Sequence, residues 1–396
     1  RVAAPVGRGE VEMKKWGILA VAVFGLAACD GIFGSDDDDG DRGAVFTMNN
    51  AAAANHVILF ARGDDGDLVR VDSFATGGQG SGPHPVFGTD PLESQDALIL
   101  SDDDRFLFAV NAGSNEVTSF RVRGNGTLQL ASRVSSGGQF PVSLAHRGTL
   151  LYVVNANGGG NVSGFRVGGD GTLTPIASST RPLSGAAVPG PGSIRISPNG
   201  QTLVVTEKPT NLLVIYPLDA NGVPGTRAVV PAPGPTPFGA DFDPSGRYIL
   251  SEGNVAPMRM AVPDGSTVSS ATLSATAVTP ITDSAPTTET AACWVQITPD
   301  GRFAYTTNTG SSSITGFGIG SNGALTRLTP DGKTGTTPAM SQPLDMAYAD
   351  GYLFALTPGD GGIHVFRVET SGALTPVPTA DVTATLPISV TGLAAM

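Results

Sequence analysis

From Val45 onward the chain is built of short apolar runs broken by small polar turns, and the same arrangement keeps returning. One copy reads Phe106-Leu107-Phe108-Ala109-Val110-Asn111, then Glu116-Val117-Thr118-Ser119-Phe120-Arg121-Val122, then Gly124-Asn125-Gly126-Thr127-Leu128. The next reads Leu150-Leu151-Tyr152-Val153-Val154-Asn155, then Asn161-Val162-Ser163-Gly164-Phe165-Arg166-Val167, then Gly169-Asp170-Gly171-Thr172-Leu173. A third runs from Phe303 to Leu325, and further copies begin near Val45, Leu203, Tyr248 and Tyr352. The runs have strand length and are rich in Val, Ile, Phe, Tyr and Thr, which suit a pleated surface. An Asn-Gly or Asp-Gly type pair follows the second run and supplies the positive φ of a tight hairpin. The equivalent turns elsewhere are Asp65-Gly66, Asn221-Gly222, Asp264-Gly265 and Ser371-Gly372. A second turn, such as Ser197-Pro198-Asn199-Gly200 or Thr298-Pro299-Asp300-Gly301, precedes the Leu/Tyr-rich run, with one more short strand before it. Four strands recurring about every fifty residues predict propeller blades.

Seven copies are countable, the fifth (about Asp241 to Ala291) being the most degenerate. The predicted fold is therefore an all-β, seven-bladed β-propeller over residues 44–396. Closure is legible too. Most units open with Pro-x-x-apolar, as in Phe140-Pro141-Val142-Ser143-Leu144, but nothing of the kind precedes Val45. The missing strand is expected at the other end, in Leu386-Pro387-Ile388-Ser389-Val390-Thr391. It would complete the N-terminal blade and so pair two edges that would otherwise be bare.

Composition agrees with many strands and tight turns: 53 Gly and 30 Pro in 396 residues, with 40% hydrophobic and 15% charged. A net charge of −12 leaves no basic surface to displace counterions from phosphates, so nucleic acid is not an expected partner. For the same reason the folded body is not expected to bind anionic lipid. The N-terminus speaks for export. Lys14 and Lys15 precede an apolar run from Trp16 to Ala28 that ends Leu26-Ala27-Ala28-Cys29, the form of a signal peptide closing on a bacterial lipobox. Residues 1–28 are thus expected to be upstream sequence and signal, Cys29 the acylated residue, and 29–43 an acidic tether carrying Asp36 to Asp39. The expected location is the cell envelope, periplasmic or surface-exposed, with membrane attachment through lipid alone. With Cys29 acylated, Cys293 has no disulfide partner, and its apolar setting marks it as a buried, inert thiol.

The Thr-Pro-Asp-Gly turn leading to the aromatic strand and Asn (Thr298 to Asn308), with the Phe-Arg-Val-x-x-x-Gly-x-Leu cadence at Phe120 to Leu128 and Phe165 to Leu173, resembles the lactonase family of seven-bladed propellers. That family includes bacterial phosphogluconolactonase and the carboxymuconate-lactonising enzymes. The resemblance covers Ala44 to Met396 and implies Arg, His and Glu groups near a mouth of the central channel. It implies in particular a Pro-Arg-His sequence opening the fifth blade and a Glu ending that blade's second strand. Here the opening reads Gly234-Pro235-Thr236-Pro237-Phe238-Gly239, so the Arg-His pair is missing, whereas Glu252 matches the Glu.

The innermost strands offer their own candidates. Val142-Ser143-Leu144, Ile194-Arg195-Ile196, Ala240-Asp241-Phe242, Val295-Gln296-Ile297 and Leu344-Asp345-Met346 share an apolar-polar-apolar pattern, which predicts a polar ring at one level near the axis. Glu252, Arg195 and Asp241 are the expected catalytic groups: a carboxylate can activate water and an arginine can clamp a carbonyl. Gln296, Asp345 and Ser143 are the expected ligand contacts. The bland alternative is a ring of paired charges that merely fixes blade packing. The four histidines (His56, His84, His146, His364) lack metal-pair spacing, so no metal and no cofactor are expected. Two functions follow: a monomeric envelope hydrolase of a small lactone or related cyclic ester, its ligand a lactone or sugar acid, or a non-catalytic propeller that binds a protein, sugar or polymer at the cell surface.

Overall fold

In the computed structural model, which describes residues 43–256, 260–378 and 382–396, seven antiparallel sheets stand around one axis. Counted from the axis outward, blade 2 is Leu98–Leu100, Phe106–Asn111, Glu116–Val122 and Leu128–Ser135. Blade 3 is Gln139–Arg147, Leu150–Asn157, Asn161–Val167 and Leu173–Pro175; blade 4 is Pro191–Ile196, Thr202–Glu207, Leu212–Pro217 and Ala228–Pro231. Blade 5 is Pro237–Phe242, Tyr248–Glu252, Thr267–Leu273 and Val278–Pro286; blade 6 is Ala292–Ile297, Phe303–Asn308, Ser313–Ile319 and Leu325–Arg327. Blade 7 is Met346–Ala349, Tyr352–Thr357, Gly362–Val368 and Leu374–Pro376. The degenerate fifth repeat is thus a full blade. A two-residue hairpin, Val255–Ala256 with Met260–Ala261, sits between its second and third strands. Asp264-Gly265 consequently precedes the third strand instead of joining it to the fourth, as the repeat predicted.

Blade 1 contains Gly43–Met48, His56–Arg62 and Leu68–Ala75, and its innermost strand is Thr391–Ala395 from the far end of the chain. Val45 pairs with Ala395 and Met48 with Thr391, while Ala44 and Met396 exchange two backbone hydrogen bonds of 2.9 Å. Closure is as expected, but the strand starts where the sequence reading ended it. Leu386–Ser389 lie before it, and Ile388 is an exposed side chain. The physical reason is packing. Val390 and Leu393, not Ile388, fill the space between the first and last blades.

The core lies between blades. Second strands such as Phe106–Asn111 and Phe303–Asn308 are buried at all six positions because a neighbouring blade covers each face, whereas the outer strand Leu68–Ala75 is mostly exposed. Each fully buried Phe or Leu contributes roughly 1.5–3 kcal/mol through lost water contact. The hairpin glycines serve this interface as well as their turns. Gly222 has a φ of 72°, and a Cβ there would lie 2.5 Å from Leu150 of the preceding blade. Asn at the end of a second strand bridges blades instead of merely bonding its own turn. Asn111 accepts from Asn55 Nδ2 (3.1 Å) and Thr76 Oγ1 (2.6 Å) of blade 1, and donates to Thr118 (2.9 Å).

Candidate functional site: two mouths and an axial plug

Each innermost strand begins on one face of the disc, here the upper face, and ends on the lower. The connection from blade 1 to blade 2 turns into the axis and fills it. Ser94 Oγ donates to Val142 O of blade 3 (2.7 Å), Gln95 N to Gly192 O of blade 4 (2.8 Å), and Leu144 N to Asp96 O (2.9 Å). The Gln95 amide reaches further: Nε2 donates to Val295 O of blade 6 (3.0 Å) and Ala240 O of blade 5 (3.4 Å), and Oε1 accepts Val295 N (2.8 Å). Asp96 N approaches the Asp345 carboxylate at 3.4 Å, and Trp294 Nε1 donates to Ser94 O at 3.1 Å. Three residues, Ser94, Gln95 and Asp96, thus bond to blades 3 to 7, which is possible only on the axis. Glu93 and Asp96 adopt left-handed backbone (φ 52° and 62°), conformations that such over-determined bonding holds in place.

Below the plug lies a pocket of about 320 Å³ at the lower mouth, lined among others by Asp96, Asp102, His146, Arg147, Arg195, Asp241 and Gln296. Arg195 organises it. Its Nε donates to Ala240 O (2.7 Å) and stands 3.3 Å from Asp241 Oδ1, while Nη1 donates to Asp96. A guanidinium from blade 4 therefore joins a carboxylate of blade 5 to one of the plug. The Asp241 side chain keeps about a third of its surface accessible (32%). Burial nonetheless lifts its carboxyl above the usual range, against the pull of Arg195 and of the Phe242 N–H it accepts. Gln296 spends one N–H on Ile297 O (3.0 Å), leaving the second for a ligand.

The other candidates lie elsewhere. Strand register explains why. Arg195, Asp241 and Gln296 stand opposite Val204, Ile249 and Tyr305, three residues before the ends of their second strands. Ser143 stands opposite Val154, one residue before Asn155, which pairs with Pro141 as Glu207, Glu252 and Asn308 pair with Pro191, Pro237 and Ala292, so it is two positions nearer the upper face. Each of these innermost strands carries the same one-residue register shift near its start, so the tiers differ because the polar residue comes two positions after Pro141 but four after Pro191, Pro237 and Ala292. The single polar ring expected from sequence is therefore two tiers, and the pocket described above lies at the lower one. Ser143 is fully buried and its Oγ accepts Ile194 N of the next blade (3.2 Å). Asp345 is 3% exposed. Its Oδ2 accepts Gly392 N of blade 1 (3.0 Å), and burial, with Asp90 nearby, holds its carboxyl well above the usual carboxylate range. Both are braces between blades.

Glu252 is also removed from the site. It pairs with Pro237, four residues from Asp241 along the strand, or about 13 Å at the rise of a strand. It is wholly buried under Gly234, accepts Thr267 Oγ1, and among the described residues has no hydrogen-bond partner for Oε1. Burial raises its carboxyl above the usual range, the hydrogen bonds only partly offsetting this. At the neighbouring blade 5 opening, Phe238 and Gly239 stand where the resemblance implies Arg-His. A Cβ on Gly239 would lie 2.2 Å from Gln95 Oε1. The plug occupies the space a larger residue there would need.

Sequence reasoning missed Gln95, Asp96, Asp102 and the ring of His146 as axial groups. In sequence the Asp102-Asp103-Asp104 run looks only like turn residues, and His146 stands in a strand pattern with nothing to mark its neighbour. Cys293 is buried and outside any disulfide. Cys29 lies outside the described residues.

The sequence profile described as lactonase, 7-bladed beta-propeller, matches residues 53–188 and 262–391, well over half of the chain. The chain belongs to this lactonase family. The stretch between those matches holds Arg195, Asp241 and Glu252, so membership speaks for the scaffold and not for these three residues. Solved structures share the fold. A Bacteroides uniformis protein assigned as a 6-phosphogluconolactonase is 20% identical, with 89% of this chain and 99% of that one covered at a TM-score of 0.67. The Pseudomonas aeruginosa periplasmic gluconolactonase is 21% identical, with 90% and 98% covered at 0.64. A Lactobacillus plantarum protein is 18% identical, with 88% and 98% covered at 0.65. At these identities the likeness establishes the lactonase-family fold alone.

Proposed function

We propose that this lactonase-family propeller hydrolyses a small uncharged lactone, and that the chemistry occurs in the lower-mouth pocket. The observation that carries the reading is Asp241. It is a carboxyl with a raised pKa, partly accessible, oriented by Arg195 and lining a cavity large enough for a sugar lactone. A carboxylate tuned toward neutrality suits proton abstraction from water. As the water oxygen bonds to the lactone carbonyl carbon, Asp241 takes its proton. The ring C–O bond then breaks, the departing oxygen gains a proton, and a hydroxy acid results. The free N–H of Gln296 is placed to support the carbonyl oxygen as it gains charge. Arg195 acts by positioning Asp241, since its charge is already shared between two carboxylates.

The pocket sets Asp96, Asp102 and Asp241 against Arg147 and Arg195, so a phosphorylated substrate would meet net negative charge. This favours a neutral lactone, in keeping with the gluconolactonase among the similar structures. An enzyme of this kind displayed in the cell envelope through acylated Cys29 is part of the same proposal. Metabolic labelling with a fatty acid, lost in Cys29→Ser, would test that part.

The decisive assay is acid release from a panel of slowly self-hydrolysing neutral lactones, wild type beside Asp241→Asn. Loss of a general base predicts a fall of roughly 10²–10⁴-fold. Release at the buffer rate across the panel, or equal rates for both proteins, would overturn the proposal. A second reading is favoured by one observation: the axial channel is sealed and Arg195 is already engaged, as in a rigid binding module. Calorimetric binding of a lactone or its hydroxy acid without turnover would support that module instead.

A further inference from the structure

The lower mouth holds a second proton-handling unit that the reading above does not use. His146 is the second-last residue of the innermost strand of blade 3, and Asp102 lies in the turn after the innermost strand of blade 2. Their side chains meet across the blade boundary, His146 Nδ1 standing 3.3 Å from Asp102 Oδ1. Asp102 is itself fixed. Gly148 N donates to its Oδ2 at 2.9 Å, and Arg147 Nη1 lies 3.9 Å from the same oxygen. Burial works against the charge on Asp102, but the His146 and Gly148 hydrogen bonds and the nearby Arg147 charge outweigh it and hold the carboxyl below its usual range. The imidazole ring is held from the other side by Phe108, stacked at 5.3 Å between centroids.

Nδ1 is thus committed, facing both the Asp102 carboxylate and the Asp102 N–H, each at 3.3 Å, and the plane is set, while Nε2 carries no hydrogen bond within the described residues. The ring borders the same cavity as Asp241 and Gln296. A carboxylate that orients one nitrogen of a histidine whose other nitrogen is free is the arrangement that general acid–base catalysis uses. The remaining histidines differ. His364 is bonded through Nε2 to Asp360 in blade 7, His84 pairs with Glu93 in the connection from blade 1, and His56 bonds its own turn.

We propose that His146 is the acid of the lower-mouth site, positioned by Asp102, and protonates the ring oxygen of the lactone as the C–O bond breaks. The inference rests on the lactone-hydrolase reading and adds the group which that reading lacked. The balance is closed by water alone. Asp241 takes one proton from the attacking water, Nε2 gives one to the departing oxygen, and the proton on Asp241 returns to the imidazole through pocket water. Around the ring the charged groups are Asp102 and Arg147 at its edge, with Asp96, Arg195 and Asp241 across the cavity. A histidine acting as an acid gives a rate that falls on the alkaline side of its titration. Removing the Asp102 charge moves that limb to lower pH.

The test is the pH–rate profile of lactone hydrolysis for the full chain, His146→Gln and Asp102→Asn, with Trp294 fluorescence confirming that each is folded. His146→Gln keeps shape and hydrogen bonding but carries no proton. It should lower the rate at least about 30-fold and abolish the alkaline limb, while Asp102→Asn should keep the limb and displace it to lower pH. If the wild type turns over and His146→Gln stays within about threefold with an unchanged profile, the role of His146 is refuted and the Asp241 reading stands. Should His146→Gln not fold, an Asp102→Asn profile superimposable on wild type refutes it equally. A wild type without turnover removes both.

Discussion

Replacing Gln95 by Leu tests the claim that a single loop side chain ties the blades together on the axis. Leu approximates the volume of Gln and keeps the site filled, but it can neither donate nor accept. Val295 N would lose its 2.8 Å acceptor, and Val295 O and Ala240 O their donors at 3.0 and 3.4 Å. Gln95 is 3% exposed, so water cannot readily replace these bonds. An unsatisfied buried donor or acceptor costs about 1–3 kcal/mol, and a carbonyl that keeps another lone pair in use costs least. Taking the lost Val295 N–H as the main term and the longer Ala240 bond as minor gives about 2–4 kcal/mol. Gln95→Ala should cost less where water enters the space left, and Gln95→Glu should cost more, because a carboxylate would face two carbonyl oxygens. Urea unfolding followed through Trp294, whose indole donates to Ser94 of the same loop, reads the effect directly in a Trp16→Phe background. A Gln95→Leu midpoint and slope equivalent to less than about 0.5 kcal/mol would refute the reasoning, since the loop would then lie in the channel without bracing it.

Two further outcomes follow. Glu252 titrates above its usual 4.5 in the folded chain, so the fold binds its proton more tightly than the unfolded chain does. Stability from this group is full at acid pH and lost as pH rises through the folded value. Glu252→Gln should therefore gain on wild type between pH 5 and 8, as measured by urea midpoints at each pH, and a constant difference would contradict it. Deleting residues 391–396 removes the strand paired with Val45–Met48, two closing backbone bonds and the buried Leu393. Loss of near-ultraviolet circular dichroism and of protease resistance is the expected result, and a native spectrum would show that the ring survives unclosed.

The two tiers of the axial wall show where local pattern stops being informative. The triplets around Ser143, Arg195, Asp241, Gln296 and Asp345 look equivalent because alternation repeats every two residues. Their height on the axis depends on how far along its strand each one lies, and alternation cannot separate Ser143, two residues past Pro141, from Arg195, four past Pro191, because a step of two keeps the same face. Glu252 misled for a related reason. Its place in the repeat is legible, but its cover, Gly234, belongs to the segment that opens the blade, and nothing in the repeat says that this segment folds over it. The Arg195 pairings were legible as a possibility only. Asp241 is in an adjacent strand copy, whereas Asp96 comes from a connection that no periodicity describes.

The amino-acid sequence by itself determined the blade. Strand length, the glycine of each hairpin and the number of copies are local properties, written in φ preferences and in the spacing of apolar side chains. It also determined that the far end of the chain must supply the first blade's missing strand, because an unpaired edge is costly wherever it lies. Only the tertiary structure decided what occupies the axis. The partners of Gln95 are backbone groups 145 and 200 residues away, and a peptide N–H carries no sequence signature. His146 and Asp102 likewise meet because adjacent blades place two strand ends side by side, 44 residues apart in the chain. Local chemistry chose the sheets; the closing of the ring chose which of their polar groups face one another.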